Sequence, residues 1–179
     1  LSVVVMLAAF VGLGGAKVRG KYNEARKWYT TGVSADNGYN LSEELTTRAN
    51  TAANIITTGT NTLGADHAEV LAAQDALTAF QNDLDGLNAG KTRMHAVYED
   101  NTALGAAIDQ LYAKLQEQAA DPMKMGAVQG QYGQFNSAGT IIGNLQYNQA
   151  VYEYQNDVGG FPASVLGKLF GVKEVEPFA

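Results

Sequence analysis

The chain has no cysteine, only three prolines and few charged side chains, and each scarcity narrows what it can be. Without cysteine there are no disulfides, thiolate nucleophiles, cysteine-based zinc sites or iron–sulfur clusters. The prolines lie far apart, and no window shows the period-2 alternation of a half-buried strand. Because 12 Lys and Arg stand against 18 Asp and Glu, no basic footprint for nucleic acid exists. These absences predict an all-α protein that does not bind nucleic acid.

The apolar N-terminus is the most distinctive segment. Residues 1–16 carry no charge, and Lys17, Arg19 and Lys21 follow directly. As a helix rising about 1.5 Å per residue, this segment would cover roughly 24 Å, somewhat short of the ~30 Å hydrocarbon core of a bilayer. We therefore interpret it as a retained helix that either anchors the chain in a membrane or packs among copies of itself. The residues expected to form this anchor or assembly surface are Val4, Leu7, Phe10, Val11, Gly12 and Gly15.

Apolar periodicity predicts that residues 17–160 form an elongated antiparallel bundle of about four long helices, the first of which extends the apolar helix. The first helix should continue past Trp28 to the turn cluster Asp36-Asn37-Gly38. The last should run from Pro122, at the first helical position, to Gly159-Gly160. Residues 161–179 then form a short apolar helix and a tail. The clearest pattern between them is a heptad seam with one polar position, formed by Met94, Val97, Asn101, Leu104, Ile108, Leu111 and Leu115.

Motifs that would indicate catalysis or cofactor binding are incomplete. The stretch 85–92 nearly spells a phosphate-binding loop, but Asp85 stands where the loop needs glycine, and no strand precedes it. His95 and Glu99 lie four residues apart on one helix face and could share a metal, yet spacing fixes no third ligand. An enzyme that uses these two residues is a weak third hypothesis. We therefore predict no catalytic, cofactor-binding or metal-binding residue, and no enzyme activity.

Aromatic residues fall on more than one side of the last helix and continue beyond it. Aromatic rings suit protein contacts because each buries a large area at little cost in side-chain entropy. Two interpretations remain open, a plain core and a mixture of core and partner surface. The predicted partner surface consists of Tyr132, Tyr147, Tyr152, Tyr154, Phe161 and Phe170.

The last third of the chain resembles the C-terminal signature of the LemA family. The similarity rests on Tyr147, Asn148, Val151, Tyr154, Phe161-Pro162, Leu166, Leu169-Phe170-Gly171 and Phe178. Tyr22-Asn23 is similar to that family's opening, and residues 48–69 resemble its second helix. The resemblance implies a bacterial membrane protein with one N-terminal anchor, an antiparallel helical bundle and no established activity.

These observations predict a LemA-like single-anchor protein of the bacterial cell membrane. We expect it to act as a scaffold or adaptor through protein–protein contacts, without a cofactor, and to form a homo-oligomer. The alternative is a self-assembling subunit of an extracellular filament or tube at the cell surface, whose N-terminal apolar helices pack together. A weakly charged surface, with 17% charged residues against the roughly 25% usual in soluble domains, suits the alternative.

Overall fold

The computed structural model describes residues 2–118 and 122–179, and within these it describes no side chains for residues 2–10 and 122–124. Every regular element in the described ranges is helical, which confirms the predicted all-α class. The elements are α1 (Ser2–Ala25), α2 (Trp28–Thr31), a 3-10 turn (Ser34–Asp36), α3 (Leu41–Leu63), α4 (Ala68–Asn88), α5 (Met94–Gln118), α6 (Pro122–Asn144), α7 (Tyr147–Gly159) and α8 (Ala163–Leu169).

Packing divides the described residues into two compact units. The terminal unit contains residues 1–41 and 145–177, and the central unit contains residues 42–144 and 178–179. This division differs from the one predicted from the sequence, in which residues 1–16, 17–160 and 161–179 formed successive parts. Segments from both ends of the chain meet in the terminal unit because α1 packs against α7 and α8.

The heptad seam of α5 lies at the centre of the central unit. Its six apolar members are all buried, and Asn101, the polar position, is half-buried. The most extensive helix pair in the described part of the chain joins α5 to α4, which contributes Val70, Leu77, Phe80 and Leu84 to the core. The two helices are connected through Ala89 and Gly90, and Gly90 has a φ of +69°, a conformation that favours glycine. The heptad seam of α5 is thus the buried face of a closely packed helical hairpin formed by α4 and α5.

A buried arginine lies between three helices of the central unit. Arg48 of α3 is 7% exposed, and its Nη1 donates a hydrogen bond to the Phe135 carbonyl of α6 at 3.1 Å. The guanidinium carbon lies 3.9 Å from the centroid of the Phe135 ring, in cation–π geometry. Gly139 and Gly105 leave room for it, because a Cβ would lie 2.3 Å from Nη1 at Gly139 and 3.2 Å from Nη2 at Gly105. Burial lowers the pKa of Arg48 to about 10, although the charge of Asp109 acts in the opposite direction.

Two long helices predicted from the sequence are interrupted. The first ends at Ala25, where the Lys27 amide bonds to the Glu24 carbonyl three residues back at 2.9 Å, and α2 follows as a separate turn. The predicted helix from Pro122 to Gly159-Gly160 is two helices, α6 and α7. Its break follows Asn144, and the Gln146 amide donates to the Asp36 carboxylate at 2.9 Å instead of continuing the helical ladder. A side chain distant in sequence therefore competes with the local pattern.

Candidate partner-binding surface

The small residues of α1 lie under α8. A Cβ added at Gly15 would lie 2.0 Å from Cε2 of Phe170, and one added at Gly14 would lie 2.8 Å from Cδ1 of Leu166. Gly15 and Leu166 are buried, as is Val18 one turn further along α1. The absence of a side chain at Gly14 and Gly15 thus allows α8 to approach α1 closely, as small residues do at other tight helix contacts.

This contact bears directly on the predicted anchor or assembly surface. The side chains of Val4, Leu7 and Phe10 lie outside the described part of the structure. Gly12 is exposed, and a Cβ there would meet no described atom within 4 Å outside its own stretch of α1, whereas Gly15 is covered by Phe170 at the end of α8. The remaining member of the predicted set, Val11, is half-buried. In the part of the chain that the structure describes, no helix combines the length and apolar character needed to cross a bilayer.

Two members of the predicted partner surface lie in the core of the terminal unit. Tyr147 and Tyr154 are each 4% exposed, so their rings do not reach a partner in this conformation. The Tyr147 hydroxyl donates a hydrogen bond to the Glu176 carbonyl at 2.9 Å. Burial is the main cause that raises the pKa of Tyr147 well above its usual value, with Tyr29 and Glu176 contributing. These tyrosines stabilise the unit rather than extend its surface.

Tyr132 belongs to the central unit and has its own partners there. Its ring stacks on Tyr112 with centroids 3.8 Å apart and planes 9° from parallel. Its hydroxyl donates to the Asp109 carboxylate at 2.8 Å. The structure therefore places Tyr132, half-buried, in a contact between α5 and α6 of the central unit, whereas the other five predicted residues belong to the terminal unit.

An exposed apolar stripe runs along α8 and the residue pair before it. Phe161, Val165 and Leu169 are spaced four residues apart and are 88%, 58% and 67% exposed. Val165 and Leu169 lie four residues apart in α8 and therefore share a helix face, which is not the face that contacts α1, while Phe161 lies just before the helix begins. We call these three residues the apolar stripe. Tyr152 of α7, also in the terminal unit, is 47% exposed, whereas Phe170 is half-buried against α1.

Val165 and Leu169 were not among the residues predicted as a partner surface. The sequence carried a signal for them, because α8 has apolar residues on two faces and a helix of 7 residues can bury only one against α1. The sequence did not indicate which of the two faces of α8 would pack against Gly14 and Gly15. Of the predicted surface, Phe161 and Tyr152 are thus exposed, and Val165 and Leu169 of α8 are exposed beside Phe161 in sequence.

The incomplete motifs for catalysis lie in ordinary helical surroundings. His95 Nε2 and Glu99 Oε1 are 3.5 Å apart on a face where both side chains are more than 60% exposed. The described residues contain no group of three or more His, Cys, Asp or Glu side chains able to hold a metal ion. The phosphate-loop-like stretch is the end of α4, where the Gly86 carbonyl accepts hydrogen bonds from Lys91 and Thr92 at 2.7 and 3.2 Å.

Comparison with known proteins adds no relative to these observations. No protein-family model, curated protein or solved structure matches the chain. The resemblance to the LemA family therefore stays a prediction from the sequence.

Proposed function

We propose that this chain is a LemA-like protein of the bacterial membrane that holds other proteins by contact and catalyses no reaction. In this proposal residues 1–16 attach the chain to the membrane, and the basic residues that follow lie at its surface. The helices form the elongated antiparallel bundle of about four long helices predicted from the sequence. A homo-oligomer is part of the same proposal.

The apolar stripe is the observation that carries the proposal. Three large apolar side chains on one short segment remain exposed although the other face of α8 is packed on α1. Contiguous exposed apolar surface is typical of sites that bind proteins or membranes. Because α8 packs on α1, the stripe belongs to the same unit as the apolar N-terminus. A partner held there would be held beside the point of attachment.

The alternative function, a subunit of an extracellular filament, needs an α1 surface that other copies can reach. Gly12 and Leu13 offer one, since Gly12 has open space around it and Leu13 is 76% exposed. Gly14 and Gly15 offer less, because Leu166 and Phe170 of the same chain already contact them. The intramolecular contact therefore favours the scaffold over the filament.

Membrane fractionation combined with cross-linking in cells tests the proposal. We expect the native chain in the detergent-soluble membrane fraction, cross-linked to other proteins. Leu169→Lys should keep the helical circular dichroism signal and the membrane fraction but lose those cross-links, since it places a charge on the apolar stripe. Leu71→Lys is the matched control, because Leu71 is a leucine of α4 in the central unit and is 45% exposed.

Two results would contradict the scaffold. Cross-links that survive in Leu169→Lys as fully as in Leu71→Lys would show that the apolar stripe does not hold a partner. Recovery of the chain as sedimenting filaments visible by electron microscopy would favour the alternative. Detergent-soluble chains without filaments would exclude the alternative.

A further inference from the structure

Residues 172–179, which we call the tail, form no helix, yet they place one large side chain in the core of the central unit. Residues 172–177 belong to the terminal unit, whereas Phe178 and Ala179 belong to the central unit. Phe178 is only 6% exposed. A short irregular segment therefore buries a phenylalanine in a unit that is otherwise built from α3 to α6.

Two side chains of α5 hold Phe178 and Ala179. The rings of Tyr98 and Phe178 meet edge to face, with centroids 5.3 Å apart and planes at 86°, an arrangement that aromatic pairs prefer. The Ala179 main-chain oxygen lies 2.5 Å from His95 Nδ1, so the tautomer with a proton on this nitrogen donates a hydrogen bond to it. The rings of His95 and Tyr98 stack, with centroids 6.4 Å apart. We call His95 and Tyr98 the tail site.

The tail site can be reached from solvent. Tyr98 is 38% exposed and the His95 side chain is 62% exposed although the tail is docked. A buried side chain and a main-chain hydrogen bond are the contacts by which proteins commonly recognise short extended peptides. A separate peptide can therefore make the same contacts once the tail has left the site.

Pro177 prepares the tail for this kind of binding. Its ring fixes φ at about −65°, and it biases Glu176 before it toward extended backbone. These preferences are local, so a free peptide with the tail sequence keeps them and loses less conformational entropy when it binds. Docking of Phe178 therefore depends little on the helix that precedes the tail.

We propose that the tail site binds extended peptide segments that carry a phenylalanine, and that Phe178 and Ala179 are an internal ligand which such a segment of a partner protein displaces. The partner's phenylalanine lies against Tyr98, and the next main-chain oxygen accepts from His95. A tethered ligand has an effective concentration on the order of millimolar, so the tail closes the site to weak or scarce ligands. This site is additional to the apolar stripe of the proposed function, because it belongs to the central unit and the stripe to the terminal unit.

Fluorine NMR of a labelled tail peptide measures the site directly. The peptide has the sequence of residues 172–179 with 4-fluorophenylalanine at position 178, and it is titrated with the full chain carrying Phe178→Ala. We expect a saturable change in the fluorine signal. The native chain should bind the peptide about tenfold more weakly, because its own Phe178 competes for the site. A peptide of the same residues in scrambled order is the matched control and should give no saturable change.

Three further changes in the Phe178→Ala chain locate the binding. Tyr98→Ala should weaken peptide binding about tenfold, because it removes the edge-to-face ring contact. His95→Ala should weaken it about fivefold, because it removes the donor to the main-chain oxygen. Tyr39→Ala is the matched control and should leave binding unchanged, since Tyr39 is a tyrosine of the terminal unit that is 51% exposed.

A second measurement keeps the phenylalanine ring in the chain. 4-Fluorophenylalanine is placed at position 178 of the native sequence, and unlabelled tail peptide is added in excess. We expect the fluorine signal of the chain to move toward that of the free labelled peptide, because the added peptide displaces the tail.

Three results would overturn the inference: equal binding by the native and Phe178→Ala chains, full binding after Tyr98→Ala, or no saturable change with a Phe178→Ala chain that keeps its helical circular dichroism signal. Should Phe178→Ala unfold, an unmoved signal in the fluorinated native chain would overturn it instead. Neither measurement uses a membrane or a partner protein. Their failure would therefore leave the cross-linking result at Leu169 intact, and loss of those cross-links would leave the peptide affinity measurable.

Discussion

Replacing Gly139 with alanine tests the packing of the buried arginine most sharply. The new Cβ would lie 2.3 Å from Arg48 Nη1, so the guanidinium would have to move by roughly 1 Å. That movement would break the 3.1 Å hydrogen bond to the Phe135 carbonyl, a charged hydrogen bond worth about 1.5–3 kcal/mol. Alanine returns about 1 kcal/mol through its higher helix propensity. We expect Gly139→Ala to lower the free energy of unfolding by about 0.5–2 kcal/mol.

Gly133 provides a matched control on the same helix. It lies in α6 and is exposed, and a Cβ there would meet no described atom within 4 Å outside its own stretch of the helix. Gly133→Ala therefore gains helix propensity without a clash, and should raise the free energy of unfolding by about 0.5–1 kcal/mol. Urea denaturation followed by circular dichroism at 222 nm measures both changes. Trp28 emission follows the terminal unit separately in the same samples.

We expect Gly139→Ala to lower and Gly133→Ala to raise the free energy of unfolding, and this difference depends on Arg48. In an Arg48→Met background the flexible thioether can yield, so Gly139→Ala should become stabilising, as Gly133→Ala is. A double-mutant cycle over Arg48 and Gly139 measures this coupling directly. Stabilisation by Gly139→Ala in the presence of Arg48, equal to that of Gly133→Ala, would refute the packing of the guanidinium on α6.

Two further predictions concern the terminal unit. Gly15→Ala should lower the thermal unfolding midpoint of this unit, because its Cβ would overlap the Phe170 ring at a cost of about 1–3 kcal/mol. Gly20→Ala is the control and should not lower the midpoint, because the position of its Cβ is open. Equal midpoints in the two variants would contradict the docking of α8 on α1. Tyr147→Phe should cost about 1 kcal/mol below pH 10 by removing the bond to Glu176. Because the pKa of Tyr147 is raised, the folded state keeps the proton on the Tyr147 hydroxyl above the usual value of 10.0. The native chain therefore loses stability as pH rises past 10, and the phenylalanine variant loses less. Parallel curves of stability against pH, measured by urea titrations, would contradict this.

The helices of the central unit could be predicted from the sequence because periodicity determines which residues become buried. The α5 seam shows this, since every apolar member reaches the core. Interruptions could not be predicted in the same way. The break before Tyr147 depends on the Asp36 carboxylate, which lies 110 residues away in the chain and which no local pattern connects to Gln146.

Which aromatic residues are exposed could not be predicted from the sequence, because aromatic composition does not distinguish a core ring from an exposed one. Tyr147 and Tyr152 lie on one short helix, yet one is 4% and the other 47% exposed. Which side is covered depends on the other helices of the terminal unit, and this information lies in their relative placement.

The contact between α1 and α8 makes two uses of the same glycines mutually exclusive. The side chains of Phe170 and Leu166 fill the space beside Gly15 and Gly14. A helix from another copy could therefore pack against these glycines only after α8 had undocked from α1. Undocking would expose two large apolar side chains, at a cost of about 1.5–3 kcal/mol for each that was fully buried. Close packing of α1 among copies must therefore either exceed that cost or use the side that contains Gly12, which α8 leaves open. Docking of α8 disfavours assembly through Gly14 and Gly15 and leaves exposed the apolar stripe, which under the proposed function is where other proteins bind.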